Sequence, residues 1–269
     1  MSGSDDGAGG AGPTPGRPTR PVPAPRGPSD RAAAAPATWA RLAAGNARWA
    51  AGGSDAGPAR SPRSWTRLVH AQSPVAAVLA CSDSRVPVEL VLDQGPGDLF
   101  VVRTAGHALD TTVLASLDYA VSQLHVPLLV VMGHHGCGAL AAATAVLEGA
   151  PAPGGHLGDL VAALVPAVDR ARLDGMSHPH QVSAHHAAST ADLLLRRSPV
   201  IHAAHDSGTT DVVAITYALA DGRTTPARAC APGGDLGAPV LPARSRAQGR
   251  GEGRRWRPGE VWGGGAHRS

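Results

Sequence analysis

Three observations predict a single α/β domain with a mostly parallel central sheet flanked by helices. Three short apolar runs, at 75–80, 99–102 and 126–132, have the length of buried strands. Segments with helical periodicity lie between and after them, and such alternation implies parallel strands joined by right-handed crossovers. Composition then changes at both ends. Residues 1–36 and 231–269 are rich in Gly, Ala, Pro and Arg and cannot bury enough surface to offset their ordering entropy. They read as disordered tails around one domain spanning 37–230, which is long enough for a sizeable core.

Taken in order, residues 38–51 place Trp39, Leu42 and Trp49 at helical spacing, with Gly45-Asn46 expected as an interruption or cap. A loop at 52–62 precedes a second expected helix at 65–71. The run 75–80, bounded by Pro74, is the first strand and delivers Cys81-Ser82-Asp83-Ser84-Arg85 to its carboxyl end, where open α/β sheets place their chemistry. Residues 87–92 read as a short helix closed by Gln94-Gly95-Pro96-Gly97. The strand 99–102 ends in Arg103-Thr104-Ala105-Gly106-His107. Residues 111–124 carry Leu114, Leu117, Ala120 and Val121 on one helical face. The third strand, 126–132, ends in Gly133-His134-His135-Gly136-Cys137-Gly138, and a helix follows over 139–147. Residues 151–197 read as helical, with Pro151, Pro153, Pro166 and Pro179 as breaks. Residues 211–219 and a short strand after Asp221-Gly222 close the sheet as a hairpin.

Charge narrows the function classes. All 24 basic residues are arginine, and the tail 231–269 holds seven of them against three acids. The basic balance therefore belongs to that tail, and Arg254, Arg255, Trp256 and Arg257 read as a solvated segment; no nucleic-acid partner is expected. No secretory leader and no apolar run of about 18 residues is visible, so neither export nor a membrane span is expected. Three cysteines make no disulfide framework, which fits a reducing cytoplasm; Cys230 reads as a spare thiol.

The chemistry concentrates at two strand tips. Cys81 from one, and His134 and Cys137 from the other, are soft ligands that suit a single zinc ion. His134 and Cys137 stand at a spacing that a strand-to-helix turn can fold onto one ion, and the helix N-terminus favours the Cys137 thiolate. Three protein ligands leave a fourth position for a water that zinc acidifies into a hydroxide nucleophile. An isolated His-X-X-Cys is a weak signal, and buried cysteine is commonly a small hydrophobe. Here both motifs follow strands and lie in polar, glycine-rich loops, which favours ligation. His135 competes with His134 for the ligand role, and spacing does not separate them. The histidines of 178–186 (His178, His180, His185, His186) read as surface residues. Asp83 beside Cys81 could be a fourth ligand or accept a hydrogen bond from bound water, while Arg85 would hold it off the metal and ionised.

Cys-Ser-Asp-Ser-Arg-Val at 81–86 together with Gly-His-X-X-Cys-Gly at 133–138 resembles the β-class carbonic anhydrases. Further segments are similar to that family: 42–49, the run Gly97-Asp98-Leu99-Phe100-Val101-Val102-Arg103, and Ser116-Leu117-Asp118-Tyr119-Ala120-Val121. The resemblance covers about 38–224. It implies a β-carbonic anhydrase-like fold and zinc-dependent, reversible hydration of CO2 to bicarbonate and a proton, in a homodimer or homotetramer with clefts at the subunit interface. By matching position it implies Cys81, His134 and Cys137 as zinc ligands, one ion per chain, and Asp83–Arg85 as the orienting dyad. Gln72 and the backbone N–H of Gly138 would bind substrate. Phe100 and Tyr119 would line the apolar pocket, reaching it across the interface. His107 departs from the family's asparagine and is expected either to shuttle protons or to play a structural part. The same chemistry would serve hydrolysis of carbonyl sulfide or carbon disulfide, and a non-catalytic zinc-binding protein is the alternative of another class.

Overall fold

In the computed structural model, which describes residues 34–54 and 68–230, all six residues of strand β1 (Ala76–Cys81) are buried. A strand of that kind needs cover on both faces. The others are β2 (Leu99–Thr104), β3 (Leu128–His134), β4 (Asp211–Tyr217) and β5 (Thr224–Cys230), in the order β2-β1-β3-β4-β5. Neighbours among the first four pair in parallel, and β5 returns antiparallel to β4. The helices are α1 (Ala34–Ala50), α2 (Val88–Val91), α3 (Thr111–Ser122), α4 (Gly138–Leu147), α5 (Gly155–Leu173), α6 (Pro179–Arg197) and α7 (Pro199–Asp206).

Because side chains alternate along a strand, the sheet feeds two layers. Ala77, Leu79, Leu129 and Val131 meet Val113, Leu117 and Val121 of α3 and Ala187, Ala191 and Leu194 of α6. Val78, Ala80, Val130 and Met132 meet Leu42 of α1 and Val88 and Val91 of α2. A third cluster packs α4 on α5, through Leu140, Ala143, Val161, Leu164 and Val168, around Cys81 and Cys137. The site is thus seated where the apolar layers run out at the carboxyl end of the sheet.

The structure departs from the sequence expectations at several points. α1 begins at Ala34 and runs unbroken through Gly45-Asn46, which is neither interruption nor cap. A Cβ on Gly45 would lie 2.0 Å from the Leu92 carbonyl oxygen, so glycine is there to let α1 approach α2. Asn46 is buried and ties distant segments together. Its Nδ2 donates to the carbonyls of Val91 (3.0 Å) and Gly222 (2.9 Å), and its Oδ1 accepts from the Thr224 N–H (2.7 Å). The helix expected at 65–71 lies partly outside the described residues, and 68–71 form no α-helix. Pro166 does not break α5: Pro166 and Ala162 are both exposed, so water can satisfy the carbonyl that the missing N–H leaves free. α7 was not anticipated at all.

Candidate metal centre

Cys81 lies level with Thr104, and Ala80 with Met132, so β1 and β3 finish side by side. His134 is the last residue of β3, and Cys137 is the N-cap of α4. The ligand atoms of Cys81, His134 and Cys137 all lie within 4.8 Å of one another, and all three residues are buried. The two sulfurs are 4.0 Å apart.

The His134 ring is oriented for ligation. Its Nδ1–H donates to the His135 carbonyl at 3.0 Å, which leaves Nε2 bearing a lone pair, buried and without a hydrogen-bond partner. Such an orphan costs about 1–3 kcal/mol unless something occupies it. Two thiols and a free imidazole nitrogen are a donor set that fits zinc, and an ion held by all three would relieve the orphan. His135 instead stacks on His180, with ring centroids 3.7 Å apart, and stands outside the three-ligand group.

The sulfurs are poised to share charge. A hydrogen bond from Cys137 pulls the Cys81 thiol down to about 4 against the opposing effect of burial, helped by His134 and by the backbone N–H groups of Asp83 and Gly106. That same sharing, then burial, pushes Cys137 up. A dication favours both thiolates at once.

Asp83 and Arg85 form a two-point pair: Arg85 Nε donates to Oδ1 at 2.9 Å and Nη2 to Oδ2 at 2.7 Å. The guanidinium holds the carboxyl at about 2. Arg85 Nη2 also donates to the Gly136 carbonyl at 3.1 Å, joining the two strand tips. Asp83 Oδ2 lies 3.9 Å from His134 Nε2, so the ionised carboxylate faces the ligand group without entering it.

The remaining expected site residues divide. Gly138 opens α4, where an N–H has no intrahelical partner. Gln72 is exposed. Phe100 is level with Ala77, four residues short of Cys81 and hence about 13 Å down the sheet. It pairs with Tyr119 (ring centroids 6.1 Å apart) where β2 forms the open sheet edge, and Tyr119 is 47% exposed. Within one chain these three are not gathered with the cysteines.

Several residues at the centre escaped sequence reasoning. Arg103 Nε donates to the Cys81 carbonyl (2.8 Å) and its Nη2 to the Asp83 carbonyl (2.6 Å). The Gly106 N–H donates to Cys81 Sγ at 3.3 Å. Ser183 Oγ donates to the His134 carbonyl at 2.8 Å. His186, expected at the surface, is buried, because it continues the inward stripe of α6 set by Val182, Ser183 and Ala187. His107 is 1% exposed, and burial, then the neighbouring His186, pushes its pKa well below the ordinary histidine range. Its φ of 43° is left-handed, a region that asparagine and histidine both enter more readily than most residues.

Comparison with known proteins agrees with this geometry. A family model described as carbonic anhydrase matches residues 76–224. Carbonic anhydrase 2 of Mycobacterium tuberculosis is 42% identical over 187 residues, covering 70% of this chain and 90% of that protein. A carbonic anhydrase of Mycolicibacterium smegmatis is 43% identical over the same shares. A tetrameric β-carbonic anhydrase of Sordaria macrospora superposes with a TM-score of 0.54 at 26% identity, over 62% of this chain and 86% of that one.

Proposed function

The chain belongs to the β-carbonic anhydrase family, and on that premise we propose that it catalyses the reversible hydration of CO2 to bicarbonate and a proton. The observation that carries this reading is the buried Cys81–His134–Cys137 group with an ionised, immobilised carboxylate beside it. Cys81, His134 and Cys137 would hold zinc, which would supply the acidity that makes water nucleophilic near neutral pH.

The chain's own groups do the rest. Asp83 accepts a hydrogen bond from the reacting water and turns its lone pair toward carbon, a matter of orientation more than of acid strength. Arg85 keeps that carboxylate ionised and off the ligand group, because both of its oxygens are engaged. The Gly138 N–H, at a helix N-terminus, suits the oxygen that gains negative charge. Gln72, Phe100 and Tyr119 complete the substrate pocket from a second copy. Their distance from the cysteines in one chain, and the open β2 edge where the two aromatics meet, support a homodimer or homotetramer. No described helix is long and apolar enough to cross a membrane; the free thiols of Cys81 and Cys137 support a reducing, cytoplasmic location.

Stopped-flow CO2 hydration, with zinc measured on the same sample and Cys81→Ser as control, tests the proposal. Turnover with about one zinc per chain, both lost in the variant, is the expected result. Zinc without CO2 turnover at about pH 8.5, above the range where such a water ionises, would move the reading to carbonyl sulfide or carbon disulfide, or to a binding role. A protein that binds no zinc would end it.

A further inference from the structure

Two histidines that the proposed reaction does not use lie buried against the metal centre. His107 and His186 are 1% and 6% exposed, and their rings stack with centroids 4.3 Å apart. His186 comes from α6, eighty residues beyond the residue it binds: its Nε2 lies 2.9 Å from the Gly106 carbonyl oxygen. A carbonyl only accepts, so Nε2 carries the proton and donates. Gly106 in turn gives its own N–H to Cys81 Sγ.

The turn at Gly106 is framed by the Ala108 N–H on the Ala105 carbonyl and by Thr104 Oγ1 on the Ala108 carbonyl, and neither bond reaches Gly106 itself. Its φ is +62°, and a Cβ there would lie 2.9 Å from Leu164 Cδ1 and 3.1 Å from Ala139 Cβ, so it has no side chain with which to anchor. The anchor is His186. Both ring nitrogens of His107 and Nδ1 of His186 are buried without partners among the described residues. An apolar pair would fill the same space without the cost of burying unpartnered polar atoms. Packing alone therefore does not account for the imidazoles, whereas the bond to Gly106 does for one of them.

We infer that His186 is a positioning residue for the metal-binding sulfur: through Gly106 it aims a backbone N–H at Cys81 Sγ, and His107 stacks on its ring to fix the ring's orientation. The inference rests on the reading of Cys81 as a zinc ligand. A hydrogen bond to a ligating thiolate draws charge from the sulfur and sets its direction, so its loss alters both metal affinity and the electronic character of the sulfur–metal bond.

The test uses the full chain as wild type, His186→Gln, His186→Asn and His186→Leu. Zinc affinity is read by competition with a chromogenic chelator, and the sulfur environment by the charge-transfer band after cobalt(II) replaces zinc. Leucine is expected to weaken zinc binding by about ten- to a hundredfold and to move the band. Glutamine, whose terminal N–H₂ can take the place of Nε2, recovers both, while the shorter asparagine does not. A leucine variant with wild-type affinity and band, merely less resistant to urea, would overturn the inference and reduce His186 to packing. If the leucine variant does not fold, glutamine and asparagine variants of equal affinity and identical band would overturn it as well. A wild-type protein without zinc would overturn the metal reading itself, which separates that failure from this one.

Discussion

The two strand tips that meet at the metal centre are held by different means. At the end of β3, two ligands come from a span of four residues. His134 is braced by the carbonyl of its immediate neighbour, and Cys137 is set by the start of α4. At the end of β1, the carbonyls of the ligand and of Asp83 are held from the neighbouring strand, while Arg85 closes the dyad locally. Arg103 grips two carbonyls of the tip from the adjacent strand, and Gly106 reaches the sulfur. A ligand braced by its own neighbours loses less when a distant bond is removed than one braced from another strand. The β1 tip also carries Asp83, so the carboxylate nearest the chemistry depends on the neighbouring strand, whereas the distant brace of the β3 tip is Ser183 on the His134 carbonyl.

Substitutions rank accordingly. The largest effect, equal at both tips, is expected from Cys81→Ser and Cys137→Ser, which should lose zinc by metal analysis and CO2 hydration to background; retention of zinc by either would break the symmetry of the two tips. Asp83→Asn should keep zinc while lowering kcat by about a hundredfold, as expected where orientation is lost and the metal kept. Arg103→Leu sharpens the comparison most directly. It touches no ligand atom, yet it should cost about 1–2 kcal/mol in urea unfolding and lower kcat, since both of its bonds hold the β1 tip.

The acid limb gives a subtler test. Arg85 holds Asp83 at about 2, below the ordinary 3.8, so the pair's contribution to stability is complete above the ordinary value and lost as pH falls through the depressed one. Urea unfolding at several pH values should therefore find wild type more stable than Arg85→Gln above about pH 4, with the two converging below about pH 2. Ser183→Ala should have the smallest effect. It removes one brace of the β3 tip, costs about 1 kcal/mol, and leaves kcat near wild type because His134 keeps its bond to the His135 carbonyl.

The same division governs what the sequence reveals. The buried strands are legible because their apolar runs are short and bounded, and the three ligands because each follows such a run. Ser198-Pro199, an N-cap side chain accepting from the Ile201 N–H with proline in the first turn, is the local sequence signal for α7. Gly45-Asn46 looks like a helix stop in sequence because its meaning is tertiary: the approach of α1 to the Leu92 carbonyl requires glycine there. Arg103 sits in a visible motif, but its role lies in the register that sets it level with Ala80, which no local pattern states. His186 is one of four histidines between 178 and 186. Its burial follows from sharing the helical phase of Val182, Ser183 and Ala187, a count that could have been made beforehand.

Asn46 carries a consequence for how the protein is made. Its side chain joins the first described helix to a hairpin whose Thr224 lies 178 residues later. At the roughly 5–20 residues per second of synthesis, α1 leaves the ribosome on the order of ten to forty seconds before that partner exists. During that interval the Asn46 side chain, buried in the finished protein, lacks its partners at Gly222 and Thr224. The link from α1 to the β4–β5 turn therefore forms only after the metal-binding tips are complete in sequence.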